Sequence, residues 1–186
     1  MHYNKFYSAL QSPLKSLQSQ SMKRYIPEID FPPYRFIPGK APHPEKEGYM
    51  KGHKIEFSGT WEPSNSSAWK NGWLYAVDLF NANYFWESHV YWEALWNMIG
   101  RKGDQANILK ALIKIAAGGV KIQMSQQEIG EGHIKRAIEL LSEINLNEVS
   151  LSYFDHSALL KSLNNKEITI NQFPKIQLNE ELTKII

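Results

Sequence analysis

The spacing of apolar residues along the chain predicts where its helices lie. From Ser67 onward, apolar residues recur every three or four positions, which is the period of a helix with one buried face. Alternation of period two is never sustained beyond a few residues, so the predicted fold class is all-α, a small antiparallel helical bundle. The predicted helices are Trp73–Phe80, Tyr84–Met98, Asp104–Met124, His133–Ile144 and Ser157–Leu163.

Residues at the helix ends and in the apolar stripes refine this picture. Asn83 is placed to cap the second helix, Gly100 to end it, and Asp155 to cap the last helix. Gly119 lies in the middle of the broad apolar stripe of the third helix, where glycine lowers helix propensity. It therefore predicts that a neighbouring helix packs closely at that point.

The part of the chain before the helices has a different composition. Prolines at 27, 32, 33, 38, 42 and 44 remove backbone donors and disfavour both helix and central strand. Interspersed residues such as Ile26, Phe31 and Phe36 are too apolar for a solvated linker. We therefore predict an N-terminal arm (1–24), an extended Pro-rich strap (25–66), a helical core domain (67–165) and a C-terminal tail (166–186).

Composition and charge narrow the classes of function. The 186 residues carry a formal net charge of +2 and no cysteine, which excludes thiolate metal sites and gives no reason to expect a nucleic-acid partner. No apolar run is long enough to span a membrane and the start lacks a secretory pattern, so a cytoplasmic location is predicted. Lys110, Lys114 and Lys121 share one helix stripe, which is either a solvated face or a groove for an acidic partner.

The densest candidate chemistry lies in the second predicted helix. His89 and Glu93 stand one turn apart on the same face, among aromatic residues. Three interpretations remain open: a self-satisfied buried pair, two ligands of a divalent metal such as zinc, iron or manganese, or a histidine base oriented by a carboxylate. Further metal ligands would come from His43, His53 or Asp78.

The other polar residues of the chain give few further candidates for a catalytic or metal site. Glu87 points to the far side of the same helix and is retained only as a candidate catalytic residue. His133 and His156 have no spaced partner and are predicted to lie on the surface. The glycine-rich phosphate-binding, zinc-protease and serine-hydrolase motifs are all absent.

Four stretches of sequence resemble the domain of unknown function 309 family. Its members carry a pattern LFNxGxYxEAHExWExLW followed by a helix of the type FLQGLIQLAAA. The corresponding stretches here are 75–89 (YAVDLFNANYFWESH), 92–96 (WEALW) and 108–117 (ILKALIKIAA), and 34–44 (YRFIPGKAPHP) resembles a strap found in some members. The resemblance implies an all-α fold whose first helices form an antiparallel hairpin, and it implies no activity.

Carried over by position, the family's polar signature falls on Glu87, His89 and Glu93, with His43 from the strap. Val90 departs from the glutamate that members often carry after the histidine, and Lys114 stands where members often carry glutamine.

Two hypotheses of function follow from these observations. The first is an interaction or scaffold domain whose strap and aromatic hairpin bind a protein partner or a second copy of the chain. The second is a metal-dependent or histidine-based hydrolase with its site where the strap crosses the second helix. In that case Glu87, His89 and Glu93 are the candidate catalytic residues, and His43, His89 and Glu93 the candidate ligands of a divalent metal.

Overall fold

A computed structural model describes residues 23–44, 66–144, 154–164 and 167–178, which contain five helices and no strand. The single β-bridge of these residues joins Phe154 to Leu178. The predicted all-α class is therefore confirmed. The helices are α1 (Ser66–Asn81), α2 (Phe85–Met98), α3 (Asp104–Gln123), α4 (Gln127–Ser142) and α5 (His156–Leu163), followed by a 3-10 turn at Ile170–Gln172.

The helices pack in chain order around one apolar core. Each of α1, α2 and α3 packs against the helix that follows it, and the short connections between them make these neighbours antiparallel. Large side chains of the first three helices fill the centre, where they exclude water completely. The largest of them are Trp73, Tyr75, Phe80, Phe85, Trp92, Leu109 and Leu112.

Three of the predicted helix ends can be compared directly with the structure. Gly100 adopts a left-handed conformation (φ 74°) just after α2, and Asp155 accepts a hydrogen bond from the Ala158 N–H at 2.8 Å, so both predictions are confirmed. The prediction for Asn83 is wrong. Asn83 turns the chain with φ 63°, and Tyr84 precedes α2 without capping it through its side chain.

Helix α4 begins six residues earlier than the apolar period predicts. Gly130 lies in its first turns, where glycine normally disfavours a helix. A Cβ atom at Gly130 would lie 2.8 Å from the carbonyl oxygen of Gly118 in α3, so the glycine is needed for the close approach of the two helices. Packing between helices therefore outweighs local propensity here.

The close approach predicted at Gly119 is confirmed on the opposite side of α3. A Cβ atom at this position would lie 2.6 Å from the ring of Phe85 in α2, a separation that real side chains do not adopt. Gly118 and Gly119 thus serve two different neighbours, α4 and α2. Helix α3 is consequently held tightly between them.

The flanking segments lie on the hairpin formed by α1 and α2. Residues 23–44 run without helix or strand, as the proline pattern predicts, and they bury Ile26 and Phe36. Residues 167–178 bury Phe173, Ile176 and Leu178 against the same core. No helix among the described residues is long and apolar enough to cross a membrane.

Candidate functional site

Asp78 of α1 is completely buried and binds the main chain of the strap. Its Oδ1 accepts the N–H of Tyr25 at 2.8 Å, and its Oδ2 accepts the N–H of Ile26 at 3.0 Å. The guanidinium of Arg24 approaches the same carboxylate, with Nε 3.5 Å from Oδ2. Burial raises the pKa of Asp78, and the two N–H donors and Arg24 oppose this rise because they favour the charged form.

Two tyrosine hydroxyls bind the next carbonyl groups of the strap. Tyr75 of α1 donates to the carbonyl oxygen of Asp30 at 2.8 Å, and Tyr84 donates to that of Pro32 at 3.2 Å. The ring of Tyr84 also stacks on Phe31, with 5.2 Å between ring centres. Burial raises the pKa of both tyrosines, so their hydroxyls stay protonated and serve as donors.

Glu87 of α2 completes the row of contacts along the strap. It is completely buried, and its Oε1 accepts the N–H of Phe36 at 2.7 Å. At 2.7 Å this bond lies at the short end of the range for N–H donors and oxygen acceptors. A catalytic role for Glu87 stays a prediction, whereas its contact with the strap is a feature of the structure.

Asn81, at the end of α1, binds the tail in the same manner. Its Oδ1 accepts the N–H of Ile176 at 2.9 Å, and its Nδ2 donates to the carbonyl oxygen of the same residue at 2.8 Å. The carboxamide thus pairs with one residue as a neighbouring strand would. We call Tyr75, Asp78, Asn81, Tyr84 and Glu87 the hairpin clamp, because all five bind main-chain atoms of the two flanking segments.

His89 and Glu93 lie one turn apart on α2, but they do not form the hydrogen bond that this spacing permits. His89 is half-buried and Glu93 is exposed, and no hydrogen bond joins them in the described part of the chain. Burial lowers the pKa of His89, the Glu93 carboxylate opposes this, and the Lys114 ammonium adds to the lowering. The self-satisfied buried pair is therefore not formed, while catalytic roles for the two residues stay predictions.

The strap histidine packs among aromatic rings. The His43 ring lies 5.1 Å from that of Phe36 and 5.7 Å from that of Trp86, centre to centre. This places the strap against α2, as the hydrolase hypothesis required. Within the four described ranges, however, no three histidine or acidic side chains are grouped so that they could hold a metal ion, and His53 lies outside these ranges.

The lysine stripe of α3 forms part of a cationic face. Lys110 is exposed, whereas Lys114 and Lys121 are half-buried. His133 of α4 lies beside them; burial lowers its pKa first, and the two half-buried ammonium groups lower it further. Lys110, Lys114, Lys121 and His133 therefore belong to one basic face of α3 and α4.

His156 contradicts the prediction that it lies on the surface. It is only 5% exposed, and neither ring nitrogen has a hydrogen-bond partner among the described residues. The ring packs beside Phe154, with 5.8 Å between centres. Burial lowers the pKa of His156, and the neighbouring Asp155 opposes this only in part.

Most of the hairpin clamp was missed by the sequence analysis. Asp78 was considered only as a metal ligand, and Asn81 and the two tyrosines were given no role. One signal was present: Asp78 is the only charged residue in the apolar run Trp73–Phe80. A buried charge needs partners, but the run itself does not show that main-chain N–H groups 50 residues away supply them.

Of three comparisons with known proteins, the one with protein-family models gives a match. Neither the curated proteins nor the solved structures contain a match to this chain. The family model described as Domain of unknown function (DUF309) matches residues 73–132, from α1 to the first turns of α4. The family resemblance predicted from the helix motifs is thus confirmed for residues 73–132, which match the model of this family of all-α hairpin sequences.

Proposed function

We propose that this protein is an interaction domain whose α1–α2 hairpin recognises an extended polypeptide segment through its main chain. The observation that carries the proposal is the alternation of contacts along residues 25–36. Carboxylates meet the N–H groups of Tyr25, Ile26 and Phe36, and tyrosine hydroxyls meet the intervening carbonyl groups. Side chains of both helices thus provide the hydrogen bonds that a neighbouring strand provides in other peptide-binding domains.

Recognition of this kind places few demands on the sequence of the bound segment. The clamp contacts main-chain atoms, and between them only Ile26, Pro32 and Phe36 are buried. A suitable ligand is therefore an extended segment with apolar residues ten positions apart and a proline-rich centre. In this chain the protein's own strap occupies the surface, and a similar segment of a partner would compete for the same groups.

The hydrolase hypothesis gains no comparable support. The buried carboxylate of Glu87 is engaged with the strap, and Glu93 is exposed without a hydrogen bond to His89 in the described residues. The interaction hypothesis uses the buried polar groups that the structure brings together, and it is the one that we retain.

An exchange experiment on the whole chain tests the proposal. A protease site is inserted between residues 44 and 66, the folded protein is cleaved there, and a fluorescent peptide with the sequence of residues 23–44 is added. We expect saturable binding, measured by fluorescence anisotropy, because the added peptide can replace the resident strap. Absence of saturable binding contradicts the proposal.

A modified peptide separates main-chain from side-chain recognition. Methylation of the Phe36 amide nitrogen removes the donor that Glu87 binds and keeps the aromatic side chain. Because methylation would leave the buried Oε1 acceptor of Glu87 without its donor, at a cost of about 1–3 kcal/mol, the methylated peptide should bind about 5- to 100-fold more weakly. A Glu28→Gln peptide, altered at an exposed strap position, is the matched control. Equal affinity of methylated and unmethylated peptides would show that the main chain is not recognised.

A further inference from the structure

Two basic side chains, one from the strap and one from the tail, contact the turn between α1 and α2. Lys175 of the tail donates from Nζ to the carbonyl oxygen of Asn81 and to Oδ1 of Asn83, both at 2.7 Å. Arg35 of the strap places its guanidinium 5.3 Å from the centre of the Tyr84 ring. Since Asn83 and Tyr84 are consecutive, the two cations lie on neighbouring residues of the turn.

Neither cation is neutralised by the part of the protein that the structure describes. Arg35 and Lys175 form no ion pair with any described residue. The nearby Glu87 carboxylate, which acts on Tyr84, is fully buried and accepts the N–H of Phe36. Burial, together with the charge of Arg35, lowers the pKa of Lys175 to about 8.

We propose that Arg35 and Lys175 form a binding site for a tetrahedral oxyanion of the phosphate type. A guanidinium presents parallel N–H donors that match two oxygens of such an anion. The ammonium has three N–H donors, of which two are used by the turn, so one remains for the ligand. The bond from Lys175 Nζ to the Asn81 carbonyl oxygen is partly buried, but that to Asn83 Oδ1 is exposed, so a small anion can reach the ammonium on the side of Asn83.

The bound anion would connect the two flanking segments. Arg35 belongs to the strap that the clamp holds at Phe36, and Lys175 precedes Ile176, which Asn81 holds. An anion between them replaces repulsion with two attractive contacts, and it therefore favours the state in which both segments are docked. This inference does not depend on whether a partner segment ever replaces the strap.

Competitive acetylation of the intact protein tests the site with inorganic phosphate as the probe. Trace acetic anhydride is added at pH 7.5 in phosphate or in sodium chloride of equal ionic strength, and modification of each lysine is measured by mass spectrometry. Phosphate should slow acetylation of Lys175 by fivefold or more, because an anion raises the pKa of the amine and each pKa unit removes about tenfold of the reactive neutral form. Lys161, exposed on α5, is the internal control and should be unchanged.

Variants then assign the effect to the site. Arg35→Gln should abolish the protection of Lys175 by phosphate, and Arg101→Gln, at an exposed position after α2, should retain it. Arg35→Lys keeps the charge without the guanidinium and should give weaker protection, so the test does not rest on one variant. Equal acetylation in phosphate and chloride, equal slowing at Lys161, or full protection in Arg35→Gln would each overturn the proposal.

Discussion

The α1–α2 hairpin and the α3–α4 hairpin show two different uses of buried residues. On the α1–α2 hairpin, buried carboxylate, carboxamide and hydroxyl groups bind the main chain of extended segments, as at Asp78 and Asn81. Between α3 and α4 the helices meet through glycines, with Gly118 and Gly130 in such close approach that neither site has space for a methyl group. Hydrogen bonds thus fix the flanking segments on the first hairpin, whereas close packing fixes the two helices of the second.

This difference is the reason that we propose an exchangeable ligand for the first hairpin and none for the second. A helix that packs at glycine contacts is fixed by the whole apolar interface around them. An extended segment bound mainly by hydrogen bonds can leave and be replaced, because water or another segment can satisfy the same groups.

The largest effect is expected at Asp78. Asp78→Ala removes the acceptor of two N–H groups, that of Ile26 being buried and that of Tyr25 partly buried, and a stranded buried donor costs about 1–3 kcal/mol in the free energy of unfolding. Denaturation by urea measures the cost, with Asp104→Ala, at the first residue of α3, as the control. A loss no larger than that of the control would mean that these bonds do not hold the strap.

The glycine contact should be the next most sensitive position. Gly119→Leu places a side chain where the Phe85 ring already lies, and overpacking of this kind costs about 1–3 kcal/mol. Ala117→Leu, two residues earlier at a half-buried position of α3, is the matched control for helix propensity. If Gly119→Leu unfolds at a higher urea concentration than the unaltered protein, the close packing at this position is not what stabilises α3.

Replacement of His156 measures how a buried polar side chain without hydrogen-bond partners among the described residues affects stability. Its lowered pKa means that the folded protein binds fewer protons than the unfolded one, so stability is retained above about pH 6.5 and lost as the pH falls below it. The loss is at most about 1.4 kcal/mol per pH unit for one such group. His156→Leu should therefore lose less stability than the unaltered protein between pH 7 and pH 5.

Urea denaturation at both pH values measures this difference. Ser157→Ala, at the exposed neighbouring position of α5, should keep the pH dependence of the unaltered protein. An identical pH dependence in His156→Leu would assign the acid sensitivity to other groups.

The smallest effect is expected for the pair His89 and Glu93. Because no hydrogen bond joins them in the described residues, a double-mutant cycle with His89→Leu and Glu93→Leu should give a coupling below about 0.5 kcal/mol. The cycle is repeated with a chelator, since ligands of a bound metal would show coupling that the chelator removes. A coupling of several kcal/mol would instead show that the two side chains interact directly.

Much of the fold was predictable because it depends on local periodicity. The apolar spacing of α2 and α3 identified both helices to within one residue at each end, and the stripe around Gly119 correctly indicated a tight helix contact. The start of α4 was predicted wrongly, because Gly130 disfavours a helix locally and is required only by the neighbouring backbone of α3.

The all-α class and the polar positions within apolar runs can be predicted from the amino-acid sequence, since both depend on the order of neighbouring residues. What those polar residues bind depends on how distant parts of the chain pack together. From the sequence, Asp78 was a possible metal ligand and Glu87 a candidate catalytic residue. In the structure, both bind main-chain N–H groups more than 50 residues away along the chain. Such groups have no residue-specific signature, because every residue except proline carries the same N–H. Their position becomes fixed only when the strap lies on the hairpin.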